Sequence, residues 1–149
     1  RREHLNIMEK YIHENIAPNN VGQYVGGMKP SQLHLSQEKD IILGTFSMAS
    51  EGMDIPKLNT CILGSPKSDV EQIVGRIFRE KACDRTHHPL IVDIIDDFSL
   101  FTKQAGKRQT LYRKMNFKIF MDGIEVTKKQ RKKKKKEIDI YEITECLID

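Results

Sequence analysis

Between Gln72 and Arg79 the chain reads Gln-Ile-Val-Gly-Arg-Ile-Phe-Arg, two guanidinium groups and one carboxamide set among apolar residues. On a helix Gln72, Arg76 and Arg79 fall at i, i+4 and i+7, so they share one face. Ile73, Val74, Ile77 and Phe78 take the opposite side and predict a helix laid on a core. Guanidinium is planar, permanently charged and bidentate, so two of them one turn apart on a rigid element suit a phosphate chain. Gly75 costs a helix about 1 kcal/mol relative to alanine, which points to a close approach at the backbone there. The octet alone fits an ordinary amphipathic helix with solvated arginines equally well.

The elements around it favour the phosphate reading. Asp40 to Thr45 is a short apolar run bounded by turn residues, which predicts a buried strand of a parallel sheet. It opens into Phe46 to Pro56, expected to be a loop of small polar residues ending in Gly52 and Asp54. A second apolar strand is centred on 60–64, and the arginine helix is expected over 68–81. Strand, small-residue loop, strand and phosphate-seeking helix is how an α/β protein builds a site at the carboxyl ends of its strands.

At these residues the chain resembles the second RecA-like domain of a superfamily 2 helicase. Gly44 and Thr45 through Gly52, Met53 and Asp54 resemble the family's motif V, and Gln72 to Arg79 matches motif VI, the QxxGRxxR pattern. The form of motif V and its spacing from motif VI look nearer the XPB-like and UvsW-like branch than the DEAD-box branch. Pro89 to Ser99, followed by a basic Tyr-containing segment, is similar to helicases of large DNA viruses with poxvirus-like transcription. The resemblance covers residues 1–105 and leaves 106–149 as a basic C-terminal extension.

The resemblance implies an ATP-dependent motor in which this domain supplies the far wall of the nucleotide site. Arg76 and Arg79 would reach the γ-phosphate, and Gln72 would position water or a phosphate oxygen. Gly52 and Asp54 would sit near the ribose. Thr45, Gly26 and Gly27 would meet nucleic-acid phosphates, contacts that position without reading sequence. ATP with Mg2+ would be held mainly by an N-terminal RecA-like domain of the same polypeptide. DNA or RNA would be the substrate, with transcription or repair proteins as further partners. A scaffold or nucleic-acid-binding domain that keeps the fold without turning over ATP is the alternative, and the intact arginine pair argues against it.

Composition sets the frame. A chain of 149 residues is enough for one ordinary core. No apolar run approaches the ~20 residues of a membrane span and no signal-peptide pattern opens the chain, so no membrane partner is expected. Cys61, Cys83 and Cys146 are odd in number and widely spaced, which fits a reducing intracellular setting; the resemblance to viral helicases implies either the nucleus or a cytoplasmic viral factory. Cys83, His87 and His88 lie close together but lack a fourth ligand, so no metal site is expected. The net charge of +4 is concentrated: residues 128–136 carry eight basic residues, and the remaining 17 basic and 21 acidic residues leave the rest at −4. This tract, including Lys132, Lys133 and Lys134, reads as a solvated linker, a nucleic-acid tether or a nuclear localisation signal.

The remaining pattern predicts a parallel sheet with helices on both faces. Leu5, Met8, Ile12 and Ile16 form the apolar stripe of a first helix, and in the resembled family a strand with motif IV precedes it. Val21 to Val25 is a strand, Ser31 to Glu38 a helix begun by Ser31 or Pro30, and 90–95 a further strand. Gly22 to Lys29 nearly spells a phosphate loop, but Met28 and Pro30 break it. The pair Gly26 and Gly27 can equally make a simple turn. Asp93, Asp96 and Asp97 resemble a magnesium-binding strand end, though carboxylates capping a strand or helix fit better without a phosphate loop in the chain. Leu100 to Lys114 reads as a basic helix packed through Phe101, Ala105 and Tyr112. Asp122 and Gly123 then mark a hairpin between 117–121 and 124–127, with 138–143 as a third strand.

Overall fold

Apolar runs of four to six residues between turn signals form strands that pair in parallel, as their pattern predicts. A computed structural model of the chain describes residues 2–121 and 123–126, and the backbone of 139–144. The lysine tract, with the calls on Lys132, Lys133 and Lys134, lies outside the described residues. The chain divides into two compact units, Arg1–Ile55 and Pro56–Asp149.

In the first unit, α1 (Arg2–Asn15) precedes β1 (Val21–Tyr24), α2 (Pro30–Gln37), β2 (Ile41–Gly44) and α3 (Phe46–Glu51). β1 and β2 pair in parallel from Val21↔Ile41 to Tyr24↔Gly44, with α2 as the connection. Pro30 sits in the first turn of α2, where its missing N–H leaves no bond unmade. The Lys29 N–H donates to Gln32 Oε1 over 3.0 Å, satisfying a donor ahead of that turn. Gly22 belongs to packing: a Cβ there would lie 3.0 Å from both Cα and Cβ of Ser36, a buried residue of α2.

One expectation changes in this unit. The segment after Thr45 is not a loop from its start; Phe46–Glu51 is helical, with the Ala49 N–H bonded to the Thr45 carbonyl at 2.9 Å. Phe46, Met48, Ala49 and Glu51 tolerate a helix, and the chain leaves it at Gly52. The first helix forms as expected but buries no residue fully: Leu5 and Ile12 of its stripe are half-buried, and Ile16, beyond its end, is 62% exposed. A polar contact anchors α1, because the Gln23 carboxamide donates to Asn6 Oδ1 at 2.8 Å and to Glu9 Oε2 at 2.7 Å.

The second unit contains β3 (Thr60–Leu63), α4 (Glu71–Arg76), β4 (Leu90–Ile95), α5 (Ser99–Lys114), β5 (Phe120–Met121), β6 (Ile124–Glu125) and β7 (Asp139–Thr144). β3 and β4 are parallel and joined through α4. β5 and β6 form the antiparallel hairpin, closed by Gly123 at φ +75, a value that favours glycine. The third strand also forms. β7 runs antiparallel to both β4 and β5, giving the order β3-β4-β7-β5-β6. Ile91 and Ile95 of β4 and Ala105 and Tyr112 of α5 are buried in this unit's core, whereas Phe101 is only partly buried. The architecture is α/β with parallel strand pairs and a C-terminal antiparallel hairpin, consistent with a RecA-like domain. Among the described residues no helix is long and apolar enough to cross a membrane.

Candidate nucleotide and nucleic-acid site

The arginine helix is shorter than its periodicity predicts. α4 stops at Arg76, and the next N–H groups bond three residues back, Ile77 to Val74 at 3.3 Å and Phe78 to Gly75 at 3.4 Å. Ile73, Val74, Gly75 and Ile77 all have weak helix propensity, and burial of Ile77 at 3% exposure draws the chain inward. Val70, Ile73 and Val74 bury the inner face. Gln72 is exposed and Arg76 partly so, one turn apart, as expected. Arg79 is exposed in the turn beyond the helix, so the shared helical face holds for two of the three residues. A Cβ built at Gly75 meets nothing within 4 Å, which leaves that backbone open to approach from outside.

The turn carrying Arg79 is held by a residue that periodicity does not reveal. Arg85 donates from Nη2 to the Phe78 carbonyl at 2.9 Å and from Nε to the Glu80 carbonyl at 2.8 Å. Its guanidinium lies 5.6 Å from the centroid of the Phe78 ring, which stacks on Phe117 at 5.1 Å.

In the first unit, Thr45 ends β2 in an extended conformation and its carbonyl starts α3. Its hydroxyl lies 3.4 Å from Ser47 Oγ. Gly52 and Asp54 are exposed, and Asp54 sits between the buried side chains of Met53 and Ile55. Tyr24 spans this segment: its carbonyl accepts the Thr45 N–H at 3.3 Å, and its hydroxyl donates to the Gly52 carbonyl at 2.8 Å. Gly26 and Gly27 make a turn, with Gly27 at φ +84 and the Gly26 carbonyl accepting from Arg2 Nη2.

Asp93 takes neither role weighed for it. The carboxylate is fully buried and accepts from Arg108 Nε at 2.9 Å, Arg108 Nη2 at 2.8 Å and the Tyr112 hydroxyl at 3.1 Å. Arg108, 1% exposed, also donates to the Lys67 carbonyl at 2.7 Å. With three donors on two oxygens, Asp93 is the acceptor of an internal ion pair, not a metal ligand or a cap. Among the described residues no group of three His, Cys, Asp or Glu is placed to hold a metal. Burial pushes the Tyr112 hydroxyl pKa upward, and the Asp93 charge adds to it. Cys61 is pushed up to about 11 by burial first and by Asp93 second. A signal for Arg108 exists in the sequence, because Ala105, Arg108 and Tyr112 recur at the i, i+3, i+7 spacing of a packing stripe.

Relatives of the chain lie in large DNA viruses. It is 41% identical over 126 residues to a protein of Acanthamoeba polyphaga mimivirus named "Putative ATP-dependent RNA helicase", covering 84% of this chain and 24% of that protein. A protein of the same name from African swine fever virus (isolate Pig/Kenya/KEN-50/1950) is 28% identical over 115 residues, 76% of this chain and 22% of that one. A protein of Invertebrate iridescent virus 3, whose name states no activity, is 29% identical over 93 residues, 62% of this chain and 86% of that protein. The chain thus spans about a quarter of the length of the helicase-named relatives. No family model and no solved structure matches it. The chain is a relative of proteins named as helicases.

Proposed function

We propose that the chain is the second RecA-like domain of an ATP-dependent superfamily 2 helicase or translocase, nearer the XPB-like and UvsW-like branch, followed by a basic extension. The observation that carries this reading is Gln72 and Arg76 one turn apart on the outer face of α4, with Arg79 in the turn beyond. The buried inner face of that helix gives Arg76 a firm base from which to meet a phosphate chain. ATP with Mg2+ would be held mainly by an N-terminal RecA-like domain of the same polypeptide and would supply the phosphoryl group that passes to water. Arg76 and Arg79 stabilise charge on that group, a role worth ~10³–10⁵ in rate, and Gln72 orients water or a phosphate oxygen. Gly52 and Asp54 would contribute contacts to the ribose. Thr45, Gly26 and Gly27 bind nucleic-acid phosphates, and the names of the relatives point to RNA as substrate. Domain opening and closing then convert turnover into stepping.

The test is kinetic. In the full-length polypeptide, Arg76→Ala and Arg79→Ala should each cut nucleic-acid-stimulated hydrolysis by at least ~10³ while nucleic-acid affinity stays close to wild type. Parallel loss of affinity and turnover would make these arginines nucleic-acid contacts instead. The iridescent virus relative, 86% of which the match fills, supports a second reading, a nucleic-acid-binding or scaffold domain that keeps the fold without turning over ATP. Wild-type full-length protein that binds nucleic acid but hydrolyses no ATP would support that alternative.

A further inference from the structure

The proposed rate-enhancing role of Arg79 asks for a fixed guanidinium, yet α4 ends three residues before it. A helical arginine inherits its position from the helix; one in a following turn needs another constraint. The carbonyl groups of the two residues on either side of Arg79 are those of Phe78 and Glu80, and one side chain takes both. Arg85 reaches back with Nη2 at 2.9 Å from the first and Nε at 2.8 Å from the second. The two donors belong to one rigid plane, so the fork fixes the spacing of the two carbonyls and with it the course of the backbone through Arg79. The same guanidinium lies over the Phe78 ring, and Phe78 is stacked on Phe117, so the clamp rests on the packed region beyond α5.

We infer that Arg85 is the positioning residue for Arg79: a partly buried guanidinium that holds the turn by its backbone and so aims the finger arginine. This rests on the functional reading above. A lysine cannot replace it, because one ammonium on a flexible stem offers no planar pair of donors. Misplacing a reacting group by about 1 Å can cost ~10² in rate, which sets the scale of the effect.

The experiment uses the full-length polypeptide and measures nucleic-acid-stimulated ATP hydrolysis for wild type, Arg79→Ala, Arg85→Lys, Arg85→Ala and the double variant Arg79→Ala/Arg85→Ala. Expected are a fall in kcat of ~10–100-fold for both Arg85 variants and a KM for ATP changed less than about threefold. Nucleic-acid affinity should be unchanged, and the double variant should be no slower than Arg79→Ala alone. Wild-type kcat in the Arg85 variants beside a slow Arg79→Ala would overturn the positioning role and leave the functional reading standing. Full turnover in Arg79→Ala would overturn that reading, and the inference with it. Multiplicative losses in the double variant, or loss of the fold in Arg85→Lys as well as Arg85→Ala, would make Arg85 an independent or purely structural residue and overturn the inference.

Discussion

The hydroxyl of Tyr24 donates to the main-chain carbonyl of Gly52 over 2.8 Å, although the two residues stand 28 apart in sequence. The Gln37 carboxamide completes the hydroxyl by donating to it at 3.2 Å, and the Tyr24 carbonyl takes the Thr45 N–H at 3.3 Å. One residue thereby joins both ends of the segment that carries the proposed nucleic-acid and ribose contacts.

Replacing that hydroxyl tests the link. Tyr24→Phe should lower the stability of the first unit by about 1 kcal/mol, the net worth of one neutral hydrogen bond. In the full-length polypeptide it should also reduce the stimulation of ATP hydrolysis by nucleic acid more than it reduces unstimulated turnover. Denaturant midpoints and turnover with and without nucleic acid read the two effects, and equal loss in both turnover rates would uncouple Tyr24 from the proposed site.

The buried ion pair gives a larger effect. Arg108→Ala should destabilise the second unit by about 3–5 kcal/mol, because it strands the Asp93 carboxylate without its main donors. Arg108→Met/Asp93→Leu should cost less than either single change, yet fall short of wild type because the Lys67 carbonyl and the Tyr112 hydroxyl lose their partners. Urea unfolding of wild type, Arg108→Met, Asp93→Leu and the double variant gives the coupling; purely additive effects would show that the pair does not act as a unit.

Stability should fall in alkali. Cys61 and Tyr112 both have folded pKa values raised above their ordinary values of 9.0 and 10.0, so the fold favours their neutral forms. Their contribution is complete below pH 9.0 and is lost as the unfolded chain ionises first, over 9.0 to about 11 for Cys61 and from 10.0 upward for Tyr112. Each group that ionises only on unfolding adds a slope of about 1.4 kcal/mol per pH unit. Unfolding free energies measured from neutral to alkaline pH should show this decline, and Cys61→Ala and Tyr112→Phe should each flatten it; wild-type slopes in both variants would assign the decline to other groups.

The lysine tract is tested by salt. If residues 128–136 tether nucleic acid, each phosphate neutralised adds ~0.7–0.9 to the slope of log affinity against log salt. Replacing Lys132 to Lys136 with serine should then flatten the slope by several units. Unchanged affinity across the titration would make the tract a linker, and loss of nuclear accumulation with binding intact would make it a localisation signal.

What could be read in advance follows the range of each interaction. The strands at 21–24, 41–44, 60–63 and 90–95 and the hairpin were legible because apolar runs and turn residues are local signals. The length of α4 was not, because a 3.6-residue pattern continues through Ile77 and Phe78 while weak propensity and the burial of Ile77 end the helix. The helix α1 was legible from its stripe, but its depth of burial was not: amphipathic spacing states what a helix can bury, not how far it does. Gln72 and Arg76 were legible as an i, i+4 pair. Tyr24 and Arg85 were not, because each acts through backbone carbonyls and carbonyls leave no mark in a sequence. Arg108 escaped because a charge in a basic helix reads as solvated until its partner on another element is known.

β7 lies between β4 and the β5–β6 hairpin, although it is the last of the described strands to be synthesised. A nascent chain that has released everything through Glu125 still presents two unpaired edges, one on β4 and one on β5, each waiting for residues 139–144. Such edges recruit other strands. The sheet therefore cannot close in the order of translation; its centre is filled by residues 139–144, after the hairpin has been made, and a ribosome that stalls or a protease that cuts ahead of Asp139 leaves a protein open to pairing with its neighbours.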